Sequence, residues 1–318
     1  MTAECVHLAA HAKVNLFLRI LTGPSASPRE LGGFHQLETG FALLELADEL
    51  VVRRTAQGGG VTLEVDDGGP DLGPVDENLA VRAARAVLDA TGRKFGVAIE
   101  LTKRIPVRAG LGGGSSDAAA ALHAVNALAH HAVPDAELLQ FAARLGADVP
   151  FFASGAPLAV AWGRGERLFR LAPLPAAPVL IAVPKIAIAT ADAYRWWDEL
   201  HPTPEARGPV VLDAPALASW GSVGRLAGND FESVVFGKHS ALRTLFERMA
   251  GTSPFWVRLC GSGSAVAAVY AHERLRDDAA MMLGEKQQRL IKTTTRAAPA
   301  QRPEPSVGSG GPASGGAI

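Results

Sequence analysis

Three groups of residues in this chain carry types and spacings suited to chemistry. The stretch AGLGGGSSDAAAALHAVNAL, residues 109–128, crowds four glycines into five positions and runs straight into alanine-rich sequence of helical spacing. Glycine opposes helix continuation and alanine favours it, so this reads as a tight loop feeding a helix N-terminus. Such a corner lets backbone N–H groups converge on an anion with no Cβ in the way, and the helix dipole adds attraction for phosphate. Ser115 and Ser116 are placed to cap that helix. Neither familiar phosphate fingerprint is met: no lysine falls within residues 105–117, and Ser115 stands where a dinucleotide loop needs its third glycine. Close packing alone would also account for a glycine-rich helix entry. The second group is Lys13 and Asn15 in AKVNLFLRI (12–20), two apart and so on one face of a strand. A lone lysine there could also snorkel to solvent. The third is Asp148 in LGADVPFFASG (145–155), a carboxylate in apolar surroundings that is costly without a task or a partner, unless it caps a turn.

Elements must hold these groups together. VHLAAHAKVNLFLRI, QLETGFALLEL and DELVVRRT read as strands, and FGVAIELTK (95–103) alternates like one and leads into the glycine loop. Residues 76–92 have helical spacing, acids in the first turn and a closing glycine. Helices are expected over 115–130 and about 135–145, the second opened by PDAE. Further on, PLPAAPVLIAVP (173–184) is a proline-punctuated strand near an expected domain boundary. Helices follow near 191–200, 229–236 and 239–250, then the strand pair FWVRLCGSGSAVAAVYA, a helix near 272–284 and a last strand, RLIKTTTRA. Strands and helices mix without strict βαβ repetition, which indicates an α+β fold. From about residue 298 the chain is Pro, Gly, Ser and Ala, and this tail is expected to be disordered.

At 318 residues and 48% hydrophobic, the chain can bury a large core and is long enough for two domains. A formal charge of -1 gives no general pull toward nucleic acid or an anionic membrane, so any anion must be held by local geometry. Cys5 and Cys260 form no CxxC pair, His7 and His11 sit on a strand rather than at helical metal-pair spacing, and no metal site is expected. The opening residues lack a signal-peptide layout, and no apolar run spans a bilayer, so a cytoplasmic location is the default expectation.

PVRAGLGGGSSDAAAAL (106–122) resembles the phosphate-binding motif of the GHMP kinases. AKVNLFLRI, LGADVPFFASG and RLCGSGSAVAAVY (258–270) match further motifs of that superfamily in the right order, so the resemblance spans about residues 8–295. It is most specific to the branch that phosphorylates a cytidine-diphosphate-linked alcohol of the non-mevalonate isoprenoid pathway. It implies a nucleotide domain like that of a small-subunit ribosomal protein over 1–170, a ferredoxin-like α/β sandwich over 171–297, and a tail over 298–318. It implies ATP as donor, with Mg²⁺ offsetting phosphate charge, and a small-molecule acceptor.

The same resemblance assigns roles. Asp148 would be the base for the acceptor hydroxyl, with Lys13 beside it and the reacting phosphate. ATP would be held by Pro106, Gly110, Leu111, Gly112, Gly113, Gly114, Ser115 and Ser116, with Asn78 and Lys103 at the adenine, although Asn78 is equally well placed as a helix cap. Asn15, Thr190 and the Gly261, Ser262 and Gly263 turn would face the acceptor. Its cytosine would be sandwiched by Phe34 and Tyr194, with His35 at the base edge. In this chain the relevant motif reads GGFH, so Gly32 and Phe34 replace the Asp and Tyr usual in that branch. Another GHMP kinase, of the homoserine or mevalonate type, and a catalytically inactive nucleotide sensor are the alternatives.

Overall fold

The structure is a computed structural model that describes residues 4–22, 35–58, 60–66, 72–201, 214–225, 228–300 and 303–307. Two long strands form its axis. β1 (Glu4–Thr22) and β2 (Gln36–Thr55) pair antiparallel along nearly their whole length. The two apolar stretches expected at 36–55 are therefore one strand. β3 (Val61–Val65), missed in the sequence reading, lies parallel to β4 (Gly96–Thr102), and β4 pairs with β2. β5 (Leu158–Gly163) and β6 (Arg167–Leu171) extend the other half of β2, completing a sheet with β11 (Ser306–Val307) at the β1 edge. Four helices cover one face: α1 (Leu79–Ala90), α2 (Gly113–Leu128), α3 (Asp135–Leu145) and α4 (Val149–Ala153).

A second, four-stranded antiparallel sheet has the order β10 (Gln288–Thr294), β7 (Pro178–Pro184), β9 (Val266–Val269), β8 (Trp256–Leu259). α5 (Thr190–Leu200), α7 (Phe231–Lys238), α8 (Ser240–Ala250) and α9 (Glu273–Leu283) cover its outer side, and the short α6 (Trp220–Val223) follows α5 in sequence. Ala12, Val14 and Leu16 of β1 pack with Val179, Ile181 and Trp256 in a core between the two sheets. β1 thus has one face toward helices and the other toward the second sheet. That is why its middle is apolar on both sides and Lys13, at 3% exposure, cannot snorkel to solvent.

The fold is the α+β arrangement expected, with two corrections. α2 begins at Gly113 after Gly112 in the left-handed conformation (φ 76°), and no side chain caps it. A positive-φ glycine makes the turn that Ser115 and Ser116 were expected to make, and the serines instead lie inside the first turn. The tail is not wholly without structure, because Glu4 and Cys5 of β1 pair with Val307 and Ser306. An open sheet edge with unpaired backbone groups can recruit even a Pro- and Ser-rich segment. Among the described residues no helix is long and apolar enough to cross a membrane.

Candidate active site

A cavity of about 1260 Å³ opens where β1, the glycine loop, the entry to α4, α5 and the 261–262 turn meet. That exceeds the ~300–1,000 Å³ usual for one small ligand, so two substrates can share it.

At its floor, Lys13 emerges from β1 on the side opposite Ala12 and Val14. Register shifts lie between His11 and Lys13 and between Asn15 and Phe17, so irregularities bracket the pair. Bulges of this kind re-aim side chains. Lys13 Nζ donates to Asn15 Oδ1 at 2.6 Å, and Asn15 Nδ2 donates to Thr39 Oγ1 at 2.9 Å. Thr39 in turn donates to the Phe17 carbonyl at 2.6 Å, which closes a fully buried chain of donors and acceptors. Lys13 Nζ also lies 3.5 Å from Asp148 Oδ2. Asp148 directly precedes α4, yet its carboxylate makes no cap hydrogen bond, so the capping reading falls away. Its side chain is 33% exposed and faces the cavity.

The glycine loop is seated backbone to backbone. A Cβ on Gly110 (φ 81°) would lie 1.7 Å from the Cys260 carbonyl oxygen. A Cβ on Gly263 would lie 2.3 Å from Gly110 N, so the 261–263 turn and the loop need their glycines for mutual approach. The Lys13 amide anchors the loop from β1 by donating to the Leu111 carbonyl at 3.0 Å. Gly114 differs: nothing lies within 4 Å of its hypothetical Cβ, which would enter open space. Cys260 beneath the loop is fully buried, and burial pushes its thiol up to about 12, which keeps it unreactive.

Across the cavity, Ser262 donates to Thr190 Oγ1 at 2.9 Å, joining the turn to the start of α5. One helical turn on, the Tyr194 ring stacks on His35 at 4.5 Å between centroids. His35 Nε2 hydrogen-bonds Asp198 Oδ1 at 2.7 Å. Burial, then the Asp148 and Asp198 carboxylates, push the Tyr194 hydroxyl up to about 12, so it is a neutral aromatic wall. Asp198 carried no signal in the sequence, since its link to His35 spans 163 residues. Phe34 and Gly32 lie outside the described residues.

Lys103 reaches the cavity wall but is not free. It is ion-paired to Asp48 and, at 2.8 Å, to Asp117, with side-chain exposures of 4%, 0% and 5%. Burial alone would lower Lys103, but the Asp117 and Asp48 carboxylates hold it above its ordinary value. Burial pushes Asp117 up to about 7, against the pull of Lys103. Asp48 Oδ1 also accepts from the amides of Arg104 (2.6 Å) and Ile105 (2.8 Å), tying β2 to the segment that enters the loop. Neither aspartate stood out in the sequence.

The cavity therefore gathers Lys13, Asn15, His35, Lys103, Pro106, Gly110 to Ser115, Asp148, Thr190, Tyr194, Gly261 and Ser262. Ser116 is buried within α2, and Gly263 lines an adjoining cavity. Asn78 spends its side-chain oxygen on the Ala80 amide at 2.9 Å as the α1 cap and does not line the cavity.

Residues 78–156 match the GHMP kinases N terminal domain. The chain is 37% identical to the 4-diphosphocytidyl-2-C-methyl-D-erythritol kinase of Solibacter usitatus, covering 93% of this chain and 90% of that one. With the same-named protein of Anaeromyxobacter sp. (strain K) it shares 40% identity over 82% of this chain and 79% of the other. A crystal structure of 4-(cytidine 5'-diphospho)-2C-methyl-D-erythritol kinase superposes with a TM-score of 0.73 at 37% identity, covering 91% of this chain and 98% of that one. Homoserine kinase from Cytophaga hutchinsonii shares the fold alone, with a TM-score of 0.64 at 15% identity over 95% of this chain and 97% of that one. The chain is a kinase of the GHMP fold and belongs to the 4-diphosphocytidyl-2-C-methyl-D-erythritol kinase family.

Proposed function

We propose that this kinase transfers the γ-phosphoryl group of ATP to the 2-hydroxyl of 4-diphosphocytidyl-2-C-methyl-D-erythritol, a step of the non-mevalonate isoprenoid pathway. The observation that carries the mechanism is the Lys13–Asp148 pair at 3.5 Å, set in a cavity of two-substrate size. Asp148 takes the proton from the acceptor hydroxyl as it attacks phosphorus. Lys13, held in place by Asn15, stands between that carboxylate and the transferring group and offsets the charge that gathers there. The amides of the 110–115 segment, at the positive end of α2, receive the phosphates of ATP, whereas the Ser116 amide is spent on the Gly112 carbonyl at 2.9 Å. Asn15 and Thr39 line the polyol end, and Tyr194 with His35 lines the base end, in support of a cytidine-bearing acceptor. Mg²⁺ would arrive on the phosphates of ATP and offset their charge. Among the described residues no cluster of three or more His, Cys, Asp or Glu forms a cage, and Mg²⁺ bound through substrate phosphates does not need one.

An ADP-release assay over a panel of acceptors tests this reading. Turnover with the cytidine diphosphate alcohol, and none with homoserine or mevalonate, is the expected result. Turnover with either of those instead selects another GHMP activity, and ATP binding without turnover on any acceptor selects a nucleotide sensor.

The glycine loop gives a second test. Gly114→Val places a branched side chain in open cavity space with no clash, and valine is the better helix former, so the variant should fold. Lost amide contacts to phosphate should raise the ATP KM about ten- to hundredfold. An unchanged ATP KM would return the loop to a packing role.

A further inference from the structure

Arg108 sits within the loop motif, yet none of the roles above uses it. Its backbone is left-handed (φ 56°), a conformation uncommon for any residue with a side chain. The chain beside it is fixed: Ala109 is buried at 1% exposure, and its carbonyl accepts from the Ala265 amide at 3.3 Å. Arg108 itself is exposed, and among the described residues its side chain has no hydrogen bond, ion pair or ring contact.

Its place is the junction of two cavities. A second cavity of about 590 Å³ adjoins the main one, and the two share Arg108, Gly110, Thr190 and Ser262. This junction lies between the two ends of the acceptor site. Ser262 follows Gly261, whose hypothetical Cβ is 3.4 Å from Lys13 Nζ at the polyol end. Thr190 is one helical turn before Tyr194 at the base end. A base linked to a polyol through two phosphates must carry its negative charge across this middle. Several other cations that line the main cavity are already engaged: Lys13 with Asn15 and Asp148, Lys103 with two aspartates, Arg195 with Asp192 at 2.6 Å, and Arg144 over the Phe141 ring at 4.8 Å.

We propose that Arg108 binds the diphosphate of the acceptor and so helps select a nucleoside-diphosphate-linked alcohol over an uncharged one. The guanidinium fork matches phosphate oxygens, and the unpaired side chain gives up no existing contact to reach them. A formal net charge of -1 supplies no general attraction, so a local cation has to do so. The proposal rests on the cytidine diphosphate reading of the site.

Arg108→Gly is the cleanest test, because glycine adopts the same positive φ without strain and Tm should stay level or rise. Expected are an acceptor KM raised about tenfold, an ATP KM within about twofold of wild type, and an intermediate acceptor KM for Arg108→Lys. Calorimetric titration of cytidine 5'-diphosphate, with ADP saturating the nucleotide site, should show the same tenfold loss. Unchanged acceptor KM and unchanged affinity for cytidine 5'-diphosphate would overturn the proposal. So would a rise in ATP KM alone, which would assign Arg108 to the donor phosphates. A wild type that fails to turn over the cytidine acceptor refutes the functional reading separately. In that event the titration still decides Arg108: loss of affinity in Arg108→Gly sustains it, and equal affinity overturns it.

Discussion

Asp148→Asn is expected to lower kcat by about 10²–10⁴ while ATP affinity stays near that of wild type. The amide keeps the shape of the carboxylate and an oxygen for Lys13 at the 3.5 Å contact, so the site should remain assembled. What it loses is the ability to take a proton from the acceptor hydroxyl. The amides proposed to receive phosphate belong to the loop and α2, not to the segment before α4, which is why nucleotide binding should be spared. Steady-state kcat at saturating acceptor, together with a nucleotide titration, checks both halves. A variant with wild-type kcat would make Asp148 structural and remove the proposed base.

Lys103→Met is expected to have the largest effect on stability, about 3–5 kcal/mol, because it strands two buried carboxylates without their counter-ion. For a chain of this size that corresponds to a Tm lower by about 10 °C. The double variant Lys103→Met/Asp117→Asn should recover part of the loss, since one of the uncompensated charges is gone. The deficit should also shrink as pH falls below neutrality. Burial already pushes Asp117 up to about 7, and a carboxyl raised in the folded state stabilises it at low pH and loses that contribution as pH rises. Thermal melts across pH 5 to 8 measure this. A single variant as stable as wild type at every pH would show that the Asp48–Lys103–Asp117 cluster holds nothing in place.

Much of the candidate site is local in origin and was therefore legible. Two residues apart on a strand share a face, so Lys13 and Asn15 meet by necessity, and their 2.6 Å contact bears this out. Glycines ahead of an alanine-rich run announce a loop and a helix start, and α2 begins within two residues of the expected place. Asp148 was visible as a carboxylate among apolar neighbours.

Features made by distant segments left no comparable trace. The irregularities that bracket Lys13 and Asn15 depend on how β1 registers against β2. The need for glycine at position 110 comes from a carbonyl at Cys260, far along the chain and on another sheet's turn. Asp48, Asp117 and Asp198 look like ordinary acids until the fold sets them against Lys103 and His35. β11 has too little apolar character to be recognised as a strand, and it forms because the edge of β1 is there to pair with. Spacing along a chain encodes which side chains share a face. Pairings between elements depend on how whole sheets and helices pack, so the tertiary structure alone decided which charges are matched and which, like Arg108, have no partner among the described residues.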